Sequence, residues 1–102
     1  MKVEILHIDD CTNWQEAGRR MTAALAMTGH GDVAVNYVLL STAEDAARFP
    51  FAGSPTVSVD GSDLIAGANQ ITDLACRIYQ KPTGFAGAPT IDQLVAALSQ
   101  RG

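Results

Sequence analysis

Within the first forty residues the apolar pattern changes period twice, and that alternation restricts the fold more than any single residue does. Lys2 to Ile8 carries Val3, Ile5, Leu6 and Ile8 at strand-like spacing, and the adjacent pair Ile5-Leu6 implies burial on both faces, as in a central strand. Asn13 to Thr28 places Trp14, Ala17, Met21, Ala24 and Leu25 at steps of three or four, with Glu16, Arg19 and Arg20 turned away. This spacing predicts an amphipathic helix, stopped by Gly29 and Gly31. Val33 to Leu40 returns to a strand-like run. Strand, helix and strand in that order join by a right-handed crossover, so the first two strands should lie parallel and side by side.

Beyond them, Ser41 or Thr42 caps a short helix through Ala43, Ala46, Ala47 and Phe49, with Glu44 and Asp45 in its first turn. Thr56 to Asp60 alternates as a strand, Asp60-Gly61 is a hairpin turn, and a short strand follows around Asp63 to Ala66. In Gly67 to Ala88 the residues Ile71, Leu74, Ala75 and Ile78 hint at a helical turn, while Pro82, Gly84, Gly87 and Pro89 mark an irregular flap. Thr90 then caps a helix over Ile91 to Ser99 with an apolar stripe of Ile91, Leu94, Val95 and Leu98. With 102 residues, 47% of them hydrophobic, and neither repeat nor linker, one domain spanning 1–102 is expected, with a core that needs no metal or disulfide staple.

Several function classes are disfavoured. A net charge of −4 offers no field for phosphate backbones or anionic lipid, so neither nucleic acid nor a membrane is expected as a partner. No phosphate-cradling glycine motif is present, and His7 and His30 lack a second ligand at metal-binding spacing, so no cofactor and no metal are expected. The opening Met1-Lys2-Val3-Glu4 lacks a continuous apolar run of signal-peptide type, which points to a cytoplasmic location.

Chemistry concentrates at Cys11. It follows the first strand and precedes the first long helix, whose unpaired N–H groups and dipole favour a thiolate over a thiol. The opposing reading is a small buried hydrophobe. Asp9 and Asp10 would raise the thiol's pKa if they face it, although carboxylates there are more simply read as caps and dipole partners of the helix. Trp14 is either a core anchor or a lid beside the thiol. Cys76 either meets Cys11, as a resolving thiol or half of a soft-metal clamp, or fills a core gap between Leu74 and Ile78. Arg77 and Tyr79 beside it either steer an anionic substrate such as glutathione or simply decorate the surface.

The order β-α-β-α-β-β-α, together with Cys11-Thr-Asn-Trp-Gln-Glu, Gly53-Ser-Pro-Thr-Val-Ser-Val-Asp-Gly, Ala75-Cys-Arg-Ile-Tyr and Gly87-Ala-Pro-Thr-Ile-Asp, resembles the small bacterial thioredoxin-like proteins of the thioredoxin-fold superfamily. The resemblance spans nearly the whole chain. It implies an α/β, three-layer α/β/α fold with a central mixed sheet, and thiol-disulfide exchange with a protein disulfide or a small thiol as partner. It makes Cys11 the nucleophile; the redox partner of such a thiol is then expected to be Cys76 or an external thiol, and Thr12, Asn13 and Trp14 beside Cys11 are candidate substrate-binding residues. Pro55 matches the cis proline that faces the cysteine, leaving the backbone of Ser54 free to pair with an extended substrate. An ordinary strand-initiating proline is the alternative.

One departure counts against standard dithiol chemistry: the position that would hold the second cysteine, three residues after Cys11, is Trp14. Two other readings therefore stand beside exchange. One is a non-catalytic binding module on the same fold. The other is a soft-metal or organomercurial-binding dithiol protein, which two thiolates would suit.

Overall fold

The computed structural model describes residues 1–65, 67–81 and 84–101. In chain order these form β1 (Val3–His7), α1 (Trp14–Met27), β2 (Val35–Leu39), α2 (Ala43–Ala47), β3 (Thr56–Val59), β4 (Ser62–Asp63), β5 (Tyr79–Lys81), β6 (Gly84–Ala86) and α3 (Ile91–Arg101). The chain is a mixed α/β fold on a four-stranded mixed sheet of order β2-β1-β3-β4. β1 and β2 are parallel, as the crossover argument requires, whereas β3 runs antiparallel to β1 and β4 antiparallel to β3.

The Ile5-Leu6 step has the consequence expected of a central strand. Side chains alternate across a sheet, so Val3 and Ile5 join Val57 and Val59 on one face, against Ala17, Met21, Ala24 and Leu25 of α1 and Leu94 and Leu98 of α3. Leu6 and Ile8 join the other core, with Cys11, Leu40, Ala46 of α2 and Phe51. Both cores are supplied by one strand. The turn after β3 is set by backbone sterics: Asp60 and Gly61 both have positive φ, 52° and 83°, the signature of a primed two-residue hairpin. Thr90 caps α3 by a reciprocal pair in which Gln93 N–H donates to Thr90 Oγ1 at 3.0 Å and Thr90 N–H donates to Gln93 Oε1 at 2.9 Å.

Three local expectations are corrected. The helical turn through Ile71, Leu74, Ala75 and Ile78 does not form: this stretch is irregular, and Ile78 is 72% exposed. Its backbone is satisfied by distant partners instead, Ile71 N–H donating to Phe51 O and Ala75 O accepting from Ser54 N–H, both at 2.8 Å. The flap also holds an unexpected antiparallel pair, β5 with β6. Asp9 and Asp10 do not cap α1, whose cap position is Asn13 and carries no side-chain cap bond. Of the strand expected around Asp63 to Ala66, β4 covers Ser62–Asp63, and Ala66 lies outside the described residues, as do Pro82 and Thr83 of the flap. No helix among the described residues is long and apolar enough to cross a membrane.

Candidate functional site

Cys11 and Cys76, 65 positions apart, are joined by a disulfide with a Cα–Cα separation of 5.9 Å. Cys11 sits between β1 and α1 and is 3% exposed, packed with Leu6, Ile8, Leu40, Ala46 and Phe51. Cys76 is exposed, on a strap formed by residues 75–79. The alternative in which Cys76 fills a core gap between Leu74 and Ile78 is thereby excluded, since Leu74 and Ile78 are themselves exposed.

The strap is anchored along its length. Ser54 N–H donates to Ala75 O and Arg77 N–H donates to Ser54 O, each at 2.8 Å, which makes Ser54 and Cys76 partners in a parallel bridge. Ser54 is buried, and its Oγ accepts from Ile8 N–H at 3.1 Å, tying the bridge to the end of β1. The Ser54-Pro55 bond is cis, as the resemblance implies. The backbone of Ser54 is not free for a substrate, however, because the chain's own strap uses both of its hydrogen-bonding groups. Gly53 makes the approach possible: its φ is +107°, and a Cβ there would stand 2.7 Å from Arg77 Cβ.

Arg77 and Tyr79 are buried rather than surface decoration, and internal partners occupy their polar groups. The Arg77 guanidinium donates to Asp63 Oδ2 at 2.8 Å and to Ile65 O at 2.9 Å, and lies 4.4 Å from the centre of the Tyr79 ring. The Tyr79 hydroxyl donates to Pro55 O. Burial pushes the Asp63 carboxyl above the ordinary aspartate range even though the guanidinium favours its ionised form. Tyr79 moves up for the same reason and stays neutral. Asp63 was invisible as a partner in the sequence, because nothing in its local pattern points fourteen residues ahead.

Trp14 is an anchor rather than a lid: it is part-buried, packs against the α1–α3 core, stacks on His7 with ring centroids 4.2 Å apart, and meets Tyr37 edge-on at 5.3 Å. Thr12 and Asn13 are exposed beside Cys11. Asn13 also lies close to Gly87, where any Cβ would collide with the Asn13 amide. His7 is buried, its Nδ1 has no hydrogen-bond partner among the described residues, and burial lowers its pKa, partly offset by the Ile8 backbone and the Asp9 charge.

A depressed histidine pKa favours folding above the ordinary value of about 6.5 and loses that contribution as pH falls through the folded value. The urea midpoint of the wild type should therefore drop more steeply below about pH 6.5 than that of His7→Phe. Parallel midpoint profiles for the two proteins would refute this role.

The described residues contain no group of three or more His, Cys, Asp or Glu side chains placed to hold a metal. A bonded pair of sulfurs has no thiolate to offer a soft metal. The arrangement holds one sulfur-sulfur bond beside a buried serine bridge. No family model, curated protein or solved structure matches this chain.

Proposed function

We propose that this protein is a thioredoxin-like thiol-disulfide exchange protein whose redox pair is Cys11 and Cys76, acting on a protein disulfide or a small thiol. The observation that carries this reading is the bond itself: two cysteines 65 positions apart meet beside the cis Ser54-Pro55 peptide, at the end of the central strand β1. The sheet order β2-β1-β3-β4, with only β1 and β2 parallel, and the position of Cys11 between β1 and α1 support the same reading. Cys76 supplies the second sulfur of the pair, which Trp14 cannot. In a reducing compartment such as the cytoplasm a bond of this kind is transient, made and broken during turnover.

The test equilibrates the native protein with graded mixtures of glutathione and glutathione disulfide, reading the bond by thiol alkylation and intact mass. Reversible interconversion with the fold retained by circular dichroism is the expected result. A bond that opens only after denaturation would make it a structural crosslink, leaving a binding module in place of an exchange protein.

A further inference from the structure

We propose that Cys76 is the sulfur that meets external thiols and disulfides, and that Cys11 is the internal resolving cysteine, the reverse of the roles the resemblance implies. The inference rests on the exchange reading and assigns its order of events. An attacking thiolate must reach one sulfur along the line of the bond it breaks. Cys11 is 3% exposed and enclosed by Leu6, Ile8, Leu40 and Phe51, whereas Cys76 is exposed on the strap. Access therefore selects Cys76.

The leaving sulfur, although buried, has one compensating feature. Attack on Cys76 expels Cys11, which sits two residues before the cap of α1, and no side chain of that cap occupies the first-turn N–H groups. The unpaired N–H groups there favour a thiolate and offset part of the cost of forming one among apolar side chains. Attack on Cys11 would instead require the external thiolate to enter that apolar core, so access rather than leaving-group stability decides between the two sulfurs.

Each step balances. In the reducing direction an external thiolate attacks Cys76 Sγ, the Cys11–Cys76 bond breaks, and Cys11 departs as a thiolate, leaving a mixed disulfide on Cys76. A second external thiolate attacks the external sulfur of that mixed disulfide, releasing the small disulfide and the Cys76 thiolate. In the oxidising direction Cys76 thiolate attacks an external disulfide and expels one thiolate. Cys11 thiolate then attacks Cys76 Sγ and expels the other, so two protein thiols are oxidised as one external disulfide is reduced. The strap's bonds from Ser54 and Arg77, which do not involve sulfur, hold Cys76 in place for this second attack.

The experiment treats the oxidised full chain with glutathione under native conditions, quenches early with N-ethylmaleimide, and maps the peptides by mass spectrometry. Glutathione should be found on Cys76 and maleimide on Cys11, with about a tenfold or greater excess over the opposite pattern. Glutathione mainly on Cys11, or shared evenly, would overturn the assignment while leaving exchange intact. A second measurement compares reduced Cys11→Ser and Cys76→Ser with glutathione disulfide. Cys11→Ser should form the mixed disulfide about tenfold faster or more, and the opposite ranking overturns the assignment. If the wild-type bond resists native reduction the exchange reading fails, and the two single-cysteine rates still decide which sulfur is accessible.

Discussion

Reducing the Cys11–Cys76 bond should lower the unfolding free energy by about 4 kcal/mol. The bond closes a loop of 65 positions, and the chain-entropy relation gives that figure from loop length alone. The loss falls mainly on the unfolded state, because the strap's native contacts survive: two backbone bonds to Ser54, the Arg77 ion pair and the Tyr79 hydroxyl bond do not involve sulfur. Reduced protein should therefore remain folded in water yet unfold at a lower denaturant concentration. With a urea slope of about 2 kcal/mol/M the midpoint should fall by about 2 M. Matched titrations with and without a phosphine reductant check this, and a shift below about 0.5 M would show that the loop-closure argument does not govern the bond.

Replacing Arg77 with Ala should cost about 3 kcal/mol, visible as a fall in Tm of about 15 °C. The Arg77 and Asp63 side chains are 5% and 18% exposed, so both charges are largely removed from water. Asp63 stays above its ordinary range although a guanidinium lies 2.8 Å away, which means that desolvation outweighs attraction. The intact pair adds little net stability, but breaking it leaves the Asp63 carboxylate without its counter-charge, holding only the Ile65 N–H at 3.2 Å, and leaves the Ile65 carbonyl without the guanidinium donor.

The sign with pH follows from that direction. A carboxyl raised in the folded state favours folding at low pH and loses that contribution as pH rises through its folded value. The Arg77→Ala penalty should accordingly shrink in acid, where Asp63 takes up a proton. A double variant, Arg77→Met with Asp63→Leu, should recover stability to within about 1 kcal/mol of wild type. A penalty that is the same at every pH would rule out the buried carboxylate as its source.

The sheet and the long helices were legible because each has a face to bury. β1, α1, β2, β3 and α3 follow apolar periodicity, and Asp60-Gly61 and Thr90 are local signals that act locally. The site was legible only in part. Cys11 could be placed from its neighbours, but its bond to Cys76 depends on the bridge to Ser54, a contact between residues twenty-two positions apart with no shared pattern. The flap misled for a physical reason: Leu74 and Ile78 face outward, so their helix-like spacing reports no buried stripe. The β5–β6 pair was missed because three-residue strands give too few alternations, and Phe85 also points outward. Arg77 reads as a surface charge until its partner in β4 is known.

The pairing of Ser54 with the strap also sets the terms on which any outside chain could bind there. An extended peptide seeking the Ser54 N–H and C=O must displace Ala75 and Arg77, which are tethered to the site and present at an effective concentration that no dissociation reduces. Its measured affinity would be its intrinsic affinity divided down by the fraction of time the strap is open. In the bonded form that fraction is smallest, so the oxidation state of two sulfurs would be read out as a change in peptide affinity, without any change in the peptide's own contacts.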